Sequence, residues 1–227
     1  DVLHRLWAIV LGVRSDGLVK ANEEFAAWLN GERSMPFGPG GEHVTVRLVD
    51  FDDLTNNDFV VTTQFRFQVG DQTRIPDLVL LVNGMPLVVI EAKTPTRACV
   101  SWVDGALQVH GYENDVPELF VPNVLSVATE GKEFRYGSIR MPIELWGPWR
   151  VDGDENLAPL EQVGAAASSM LTPGTVLDLL ANFTTFANDS KRRRIKIVAR
   201  YQQHEGANRI VERVLAGQSR KGLIWHF

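Results

Sequence analysis

Apolar residues recur at helical spacing from Val2 to Val13, and the run Ala21-Asn22-Glu23-Glu24-Phe25-Ala26-Ala27-Trp28-Leu29 sets Phe25, Trp28 and Leu29 on one stripe, so the chain is expected to open in helix. A Pro/Gly cluster from Met35 to Gly41 breaks that pattern. Between Val44 and Phe67 the period changes to alternating, β-branched positions, and VTVRLVDF and DFVVTTQFRF are predicted as two strands. LVLLV and PLVVIEA, on either side of Asn83-Gly84, are predicted as a hairpin whose doubly apolar strands belong at the centre of a sheet. Ser101-Trp102-Val103-Asp104 has the form of a capping box and predicts a helix to about Glu113. Two short strands, Val124 to Thr129 and Arg135 to Ile139, are expected next. A loop from Gly147 to Pro159 follows, then a helix over TPGTVLDLLANFTTFA opened by Pro173. A last helix over about Tyr201 to Ala216 leads to the strand GLIWHF. A chain that stops inside a strand is expected to be a fragment.

Composition narrows the class. At 227 residues and 44% hydrophobic content the chain has enough apolar surface for a core, which excludes a disordered tail or a disulfide-stapled miniprotein. A single cysteine, Cys99, forms no internal disulfide and no thiolate zinc site, so a reducing cytoplasm is the expected location. Its longest apolar runs are far below the ~18 residues of a membrane span, and no signal peptide opens the chain, so a soluble protein is expected. The net charge of −5 conceals a division. Residues 1–190 carry −13 and residues 191–227 carry +8, with six Lys or Arg between Lys191 and Arg200. An acidic body argues weakly against broad nucleic-acid binding, because phosphate contacts need a locally basic surface, but a carboxylate metal site also makes a domain acidic.

The candidate chemistry lies in RIPDLVLLVNGMPLVVIEAKTP, where Pro76-Asp77 is followed by Glu91-Ala92-Lys93. Two carboxylates, with a backbone carbonyl such as that of Ala92, are hard oxygen ligands suited to Mg²⁺, or to Mn²⁺ as its substitute. A lysine beside them can favour the hydroxide form of an attacking water and neutralise charge on the phosphorus centre. Acid-x-lysine at a strand end is common and is often only a solvated pair. Here Glu91 follows the unbroken apolar run LVVI, and a charge leaving a buried strand needs a reason.

Hairpin geometry tests the idea. A plain two-residue turn at Asn83-Gly84 pairs Asp77 with Ile90 and leaves Glu91 on the wrong face. A three-residue loop, Asn83 to Met85, or an equivalent bulge, sets Asp77 opposite Glu91 with Lys93 on the same face, and this is the expectation. In the next helix Gln108 and Tyr112 lie four apart and share a face, positioned to order the lysine or to touch a DNA phosphate; alone they read as a solvated face with a packed aromatic. His110 is turned away from that face.

The blocks RIPDLVLLVNGMPLVVIEAKTP, ALQVHGYENDVPELF and RYGSI, preceded by Val46 to Gln64 and followed by YQQHEGANRIVERV and RKGLIWH, resemble the N-terminal nuclease region of the motor (R) subunit of type I restriction enzymes, a PD-(D/E)xK family. The likeness covers nearly the whole chain in order. It implies an α/β nuclease core, a central mixed β-sheet flanked by helices, over residues 1–190. Residues 191–227 are then a basic connector and the start of a helicase-like motor domain. It further implies Asp77 and Glu91 as metal ligands, Lys93 as the residue assisting the nucleophile, and Gln108 with Tyr112 as a QxxxY element. An acid of the first helix often joins such sites, and Glu23 or Glu24 is the candidate. The partners implied are double-stranded DNA and the methylation and specificity subunits of a type I complex, with no membrane. ATP enters only through a motor whose phosphate-binding loop this sequence lacks, so no ATP hydrolysis is expected from it, although Tyr201-Gln202-Gln203 resembles the adenine-contacting region.

Lys191, Arg192, Arg193 and Arg194 read equally as phosphate contacts and as a solvated connector. The five histidines show no metal-ligand spacing. The rival functions are a non-catalytic DNA-binding or subunit-docking module of the same fold, and a stand-alone repair-type nuclease.

Overall fold

The computed structural model describes all residues except 38, 39, 98, 152, 218–220 and 224–227. Two helices open the chain, α1 (Val2–Asp16) and α2 (Leu18–Leu29), and Phe25, Trp28 and Leu29 are buried as their spacing predicts. Next come a small hairpin, β1 (Ser34–Pro36) with β2 (His43–Thr45), the strand β3 (Phe59–Thr63), and a second small hairpin, β4 (Phe67–Val69) with β5 (Gln72–Arg74). The hairpin that carries the candidate residues is β6 (Leu78–Val82) with β7 (Met85–Ala92), followed by α3 (Trp102–Asp115). The remaining elements are β8 (Leu125–Thr129), β9 (Phe134–Gly137), β10 (Gly147–Pro148), α4 (Pro159–Met170), α5 (Pro173–Asn182), β11 (Thr184–Asn188), β12 (Arg194–Val198) and α6 (Tyr201–Leu215).

Six strands form the central sheet in the order β10-β9-β8-β7-β6-β3. Among the described residues only the β7–β8 pair is parallel, and α3 is its crossover, so the sheet is mixed and flanked by helices as the sequence implies. Leu87, Val88, Val89, Leu125 and Val127 are fully buried at its centre, where strands covered on both faces read as continuous apolar runs. The capping box at Ser101 is present: Ser101 Oγ accepts from Val103 N at 3.2 Å, and Asp104 accepts in return from Ser101 N at 2.8 Å.

The Asn83-Gly84 turn is a two-residue loop, not three, with φ 51° at Asn83 and 77° at Gly84, the left-handed pair that a tight hairpin of the right twist requires. The extra residue appears further along. Val82 pairs with Met85 and Leu81 with Pro86, but Leu80 pairs with Val88, so Leu87 is a bulge that shifts the register by one. The equivalent bulge is therefore what the molecule uses.

Other expectations are corrected. VTVRLVDF is strand only to Thr45, and at its far end the side chain of Asp50 accepts from the backbone N–H groups of Asp52 and Asp53 and turns the chain. The segment from Gly147 is not all loop, since Gly147-Pro148 extends the sheet against β9. The helix opened by Pro173 ends at Asn182, and its expected second half is β11, paired along its length with β12. Lys191 to Arg193 form the turn of that hairpin and Arg194 is the first residue of β12. α4, for which no element is predicted, packs on β9. Of GLIWHF, residues 224–227 lie outside the described residues.

Candidate active site

The bulge at Leu87 decides where the charged residues go. Continuing the register past Leu78–Ile90 sets Asp77 opposite Glu91 at the end of the hairpin. Asp77 is fixed there from both sides: Oδ2 accepts from Ala92 N at 3.0 Å and Oδ1 from Gln64 Nε2 at 3.0 Å. Glu91 is fully buried beneath α3, and Lys93, two residues on, shares its face. Lys93 Nζ donates to Glu91 Oε2 at 3.1 Å and to Gln108 Oε1. The amide of Gln108 in turn donates to the phenolic oxygen of Tyr112, whose own hydroxyl faces the carbonyl of Ile75 at 3.5 Å. Gln108 thus bonds the lysine directly, and Tyr112 reaches it only through Gln108.

Burial pushes the Glu91 carboxyl up to about 7, and the neighbouring Asp77 carboxylate adds to that, against the opposing pull of Lys93. Tyr112 is pushed up to about 12, first by burial and then by the two carboxylates, so it stays a neutral phenol at any physiological pH. Glu91 Oε1 is buried without a hydrogen-bond partner among the described residues. An orphaned carboxylate oxygen beside a second carboxylate has the donor chemistry a hard cation satisfies, so the residues present fit Mg²⁺.

The remaining candidates lie elsewhere. Glu23 is held by Arg194, whose Nε donates to Oε2 at 2.8 Å. Its neighbour Asn22 bonds the carbonyls of Phe120, Val121 and Asn123, ahead of β8, whereas Glu91 is near the opposite end of the parallel strand pair. Glu24 is exposed on the same helix. Among the described residues no group of three or more His, Cys, Asp or Glu is arranged to hold a metal, so the third acid is not brought to the site. Arg193 pairs with Asp189 and Arg194 with Glu23; Lys191 and Arg192 are exposed in the turn. His110 faces Trp146, off the Gln108–Tyr112 face as expected.

Two contributors are absent from the predicted set. Gln64 is the residue after β3, and its only sequence signal is its place at the end of DFVVTT. Gly105 lets α3 approach: a Cβ there would lie 3.4 Å from Glu91 Cβ and 3.2 Å from Ala128 Cβ. Its signal is a glycine in the first turns of the capped helix after Glu91-Ala92-Lys93.

Residues 1–142, which include every residue of this cluster, match the family described as type I restriction enzyme R protein N terminus. The chain belongs to that family. Among R-protein relatives it is 32% identical over 222 residues to the type I restriction enzyme HindI endonuclease subunit of Haemophilus influenzae, covering 92% of this chain and 21% of that protein. It is 28% identical over 191 residues to the putative type I restriction enzyme MjaVIIIP endonuclease subunit of Methanocaldococcus jannaschii, covering 80% of this chain and 18% of that one. The chain therefore spans about a fifth of the length of these R-protein relatives, and corresponds to the N-terminal region of an endonuclease subunit.

Proposed function

We propose that this region is the nuclease module of a type I restriction R subunit and hydrolyses phosphodiester bonds of double-stranded DNA with Mg²⁺, or Mn²⁺ in its place. The observation that carries the reading is the hydrogen-bonded line Glu91–Lys93–Gln108–Tyr112 beside Asp77. Asp77, Glu91 and the Ala92 carbonyl would hold the ion, which when bound supplies Lewis acidity and lowers the pKa of water. Lys93, with one-fifth of its side chain exposed, sets a positive charge where negative charge builds on the phosphoryl oxygens. Gln108 fixes that ammonium, and Tyr112 fixes Gln108, so the cation needs little reorganisation when the phosphate arrives.

In the longer subunit this module works in the cytoplasm with the methylation and specificity subunits, and its cutting is coupled to ATP-driven translocation by a motor that follows this region. Lys191 and Arg192 are exposed for weak phosphate contact.

The test uses the reassembled full-length enzyme. Asp77→Ala, Glu91→Ala and Lys93→Ala are each expected to reduce plasmid cleavage by about a hundredfold or more while DNA-stimulated ATP hydrolysis persists. Calorimetry is expected to show Mn²⁺ binding lost in both acid variants. Undiminished cleavage in any of the three would overturn the reading.

A further inference from the structure

We propose that Gln64 is a positioning residue for the Asp77 carboxylate and holds it in the orientation from which it binds a divalent cation. This rests on the metal-site reading above and adds a residue to it. Gln64 takes φ 51°, a left-handed backbone conformation uncommon for a side chain of its kind. Its N–H donates to the Asp77 carbonyl at 2.8 Å, and the next residue continues the ladder through Phe65 N to Pro76 O at 3.1 Å. Those backbone bonds account for where the chain runs. They do not account for the side chain, which is exposed and has water as an alternative partner, yet returns to Asp77 Oδ1 at 3.0 Å.

With Ala92 N on Oδ2 at 3.0 Å, each oxygen of Asp77 has one donor, one from the residue that follows β3 and one from β7, on the two sides of β6. Two donors fix the plane of the carboxylate and leave each oxygen a further lone pair. Asp77 follows a proline at the mouth of the hairpin, not inside a packed strand, so packing alone does not set its rotamer. A strained non-glycine residue whose amide orients a ligand carboxylate is the outer-shell arrangement that metal sites use to tune affinity.

The experiment is Mn²⁺ calorimetry, with thermal unfolding alongside, on the 227-residue chain and on Gln64→Gly, Gln64→Met and Asp77→Asn. Gln64→Gly relieves the backbone and Gln64→Met keeps the length of the side chain, while both remove the donor. The expected result is that Gln64→Gly unfolds no earlier than the parent, that both Gln64 variants bind Mn²⁺ about 10–100-fold more weakly, and that Asp77→Asn does not bind. A merely structural role would move unfolding and affinity together. Parent-like affinity in either Gln64 variant, with binding still abolished in Asp77→Asn, overturns this proposal and leaves the metal site standing. Absence of Mn²⁺ binding by the parent, or binding unchanged in Asp77→Asn, overturns both.

Discussion

Gly105 brings α3 close against β7 and β8 beside the candidate site. A methyl at this position meets Ala128 Cβ at 3.2 Å, and Ala128 lies in the central β8, which cannot move away without disturbing both its neighbours. Gly105→Ala gains about 1 kcal/mol of helix propensity but overpacks this contact at a cost of about 1–3 kcal/mol. The expected net is a small loss of stability in urea unfolding together with a larger loss of Mn²⁺ affinity, because the added methyl also meets Glu91 Cβ at 3.4 Å and displaces a carboxylate proposed to hold the ion; a variant as stable and as tight-binding as the parent would refute it. At this scale the sequence shows which residues can do chemistry but not what each one touches. Asp77, Glu91, Lys93, Gln108 and Tyr112 are legible because they lie within a hairpin and the helix after it, where spacing sets the face. Glu23 is not, because its partner is Arg194, far along the chain, and no local pattern announces that pair.

Elements were legible where their period is strong and local. The hairpin β6–β7 follows from two apolar runs around Asn-Gly, and the need to align two carboxylates demanded an extra residue. The position of that residue, Leu87, was not legible, since any residue of either strand satisfies the same count. α4 escaped because Val163, Ala166, Ala167 and Met170 on its inward face are separated by Gly164, Ala165, Ser168 and Ser169, small residues that give little contrast with it. β11 escaped because its Thr, Phe, Ala and Asn continue a helical run without a breaker. The turn itself bears more than its own strands. Asn83 Oδ1 accepts from Asp58 N at 2.8 Å, and its Nδ2 donates to Leu48 O at 2.9 Å and Asn57 Oδ1 at 3.0 Å, so one side chain ties the loop before β3 to the hairpin. Asn83→Ala loses these bonds and also forces a Cβ-bearing residue other than Asn into φ 51°. We expect a loss of about 2–3 kcal/mol in chemical denaturation. Asn83→Gly, which relieves only the backbone, is expected to recover about 1 kcal/mol of it; equal losses in the two variants would show that the backbone contributes nothing.

Across the whole molecule the uneven charge of the sequence resolves into docking. The basic end folds back on the acidic body: Arg194 meets Glu23, and Lys196 on β12 is fully buried with Nζ on Asn123 O at 2.5 Å, while Ser138 Oγ holds the Lys196 carbonyl at 2.8 Å. The groups around this ammonium are the Phe186 ring on β11, the Asn123 carbonyl, and Glu113 on α3, itself held by Arg140 N at 3.1 Å. Burial pushes Lys196 down to about 7, with Glu113 pulling weakly the other way, and pushes Glu113 up to about 7 against Arg140 and Lys196. The two have opposite consequences for stability. Between pH 7 and its ordinary 10.5, Lys196 binds more protons in the unfolded chain, so its contribution grows as pH rises; it is lost as pH falls toward 7. Between its ordinary 4.5 and about 7, Glu113 binds more protons in the native state, so its contribution falls as pH rises. Urea unfolding of the parent, Lys196→Met and Glu113→Gln over this range separates them. The stability of the parent relative to Lys196→Met is expected to climb above pH 7, by at most about 1.4 kcal/mol per pH unit, and relative to Glu113→Gln to decline as pH rises toward 7. The carbonyl of Asn123 keeps a donor in Lys196→Met, since Asn22 Nδ2 also reaches it at 2.8 Å, so the substitution leaves no orphaned acceptor to confuse the comparison. A Lys196→Met difference that stays flat with pH would mean that the ammonium is solvated in both states, and that the β11–β12 hairpin does not dock on the core in solution.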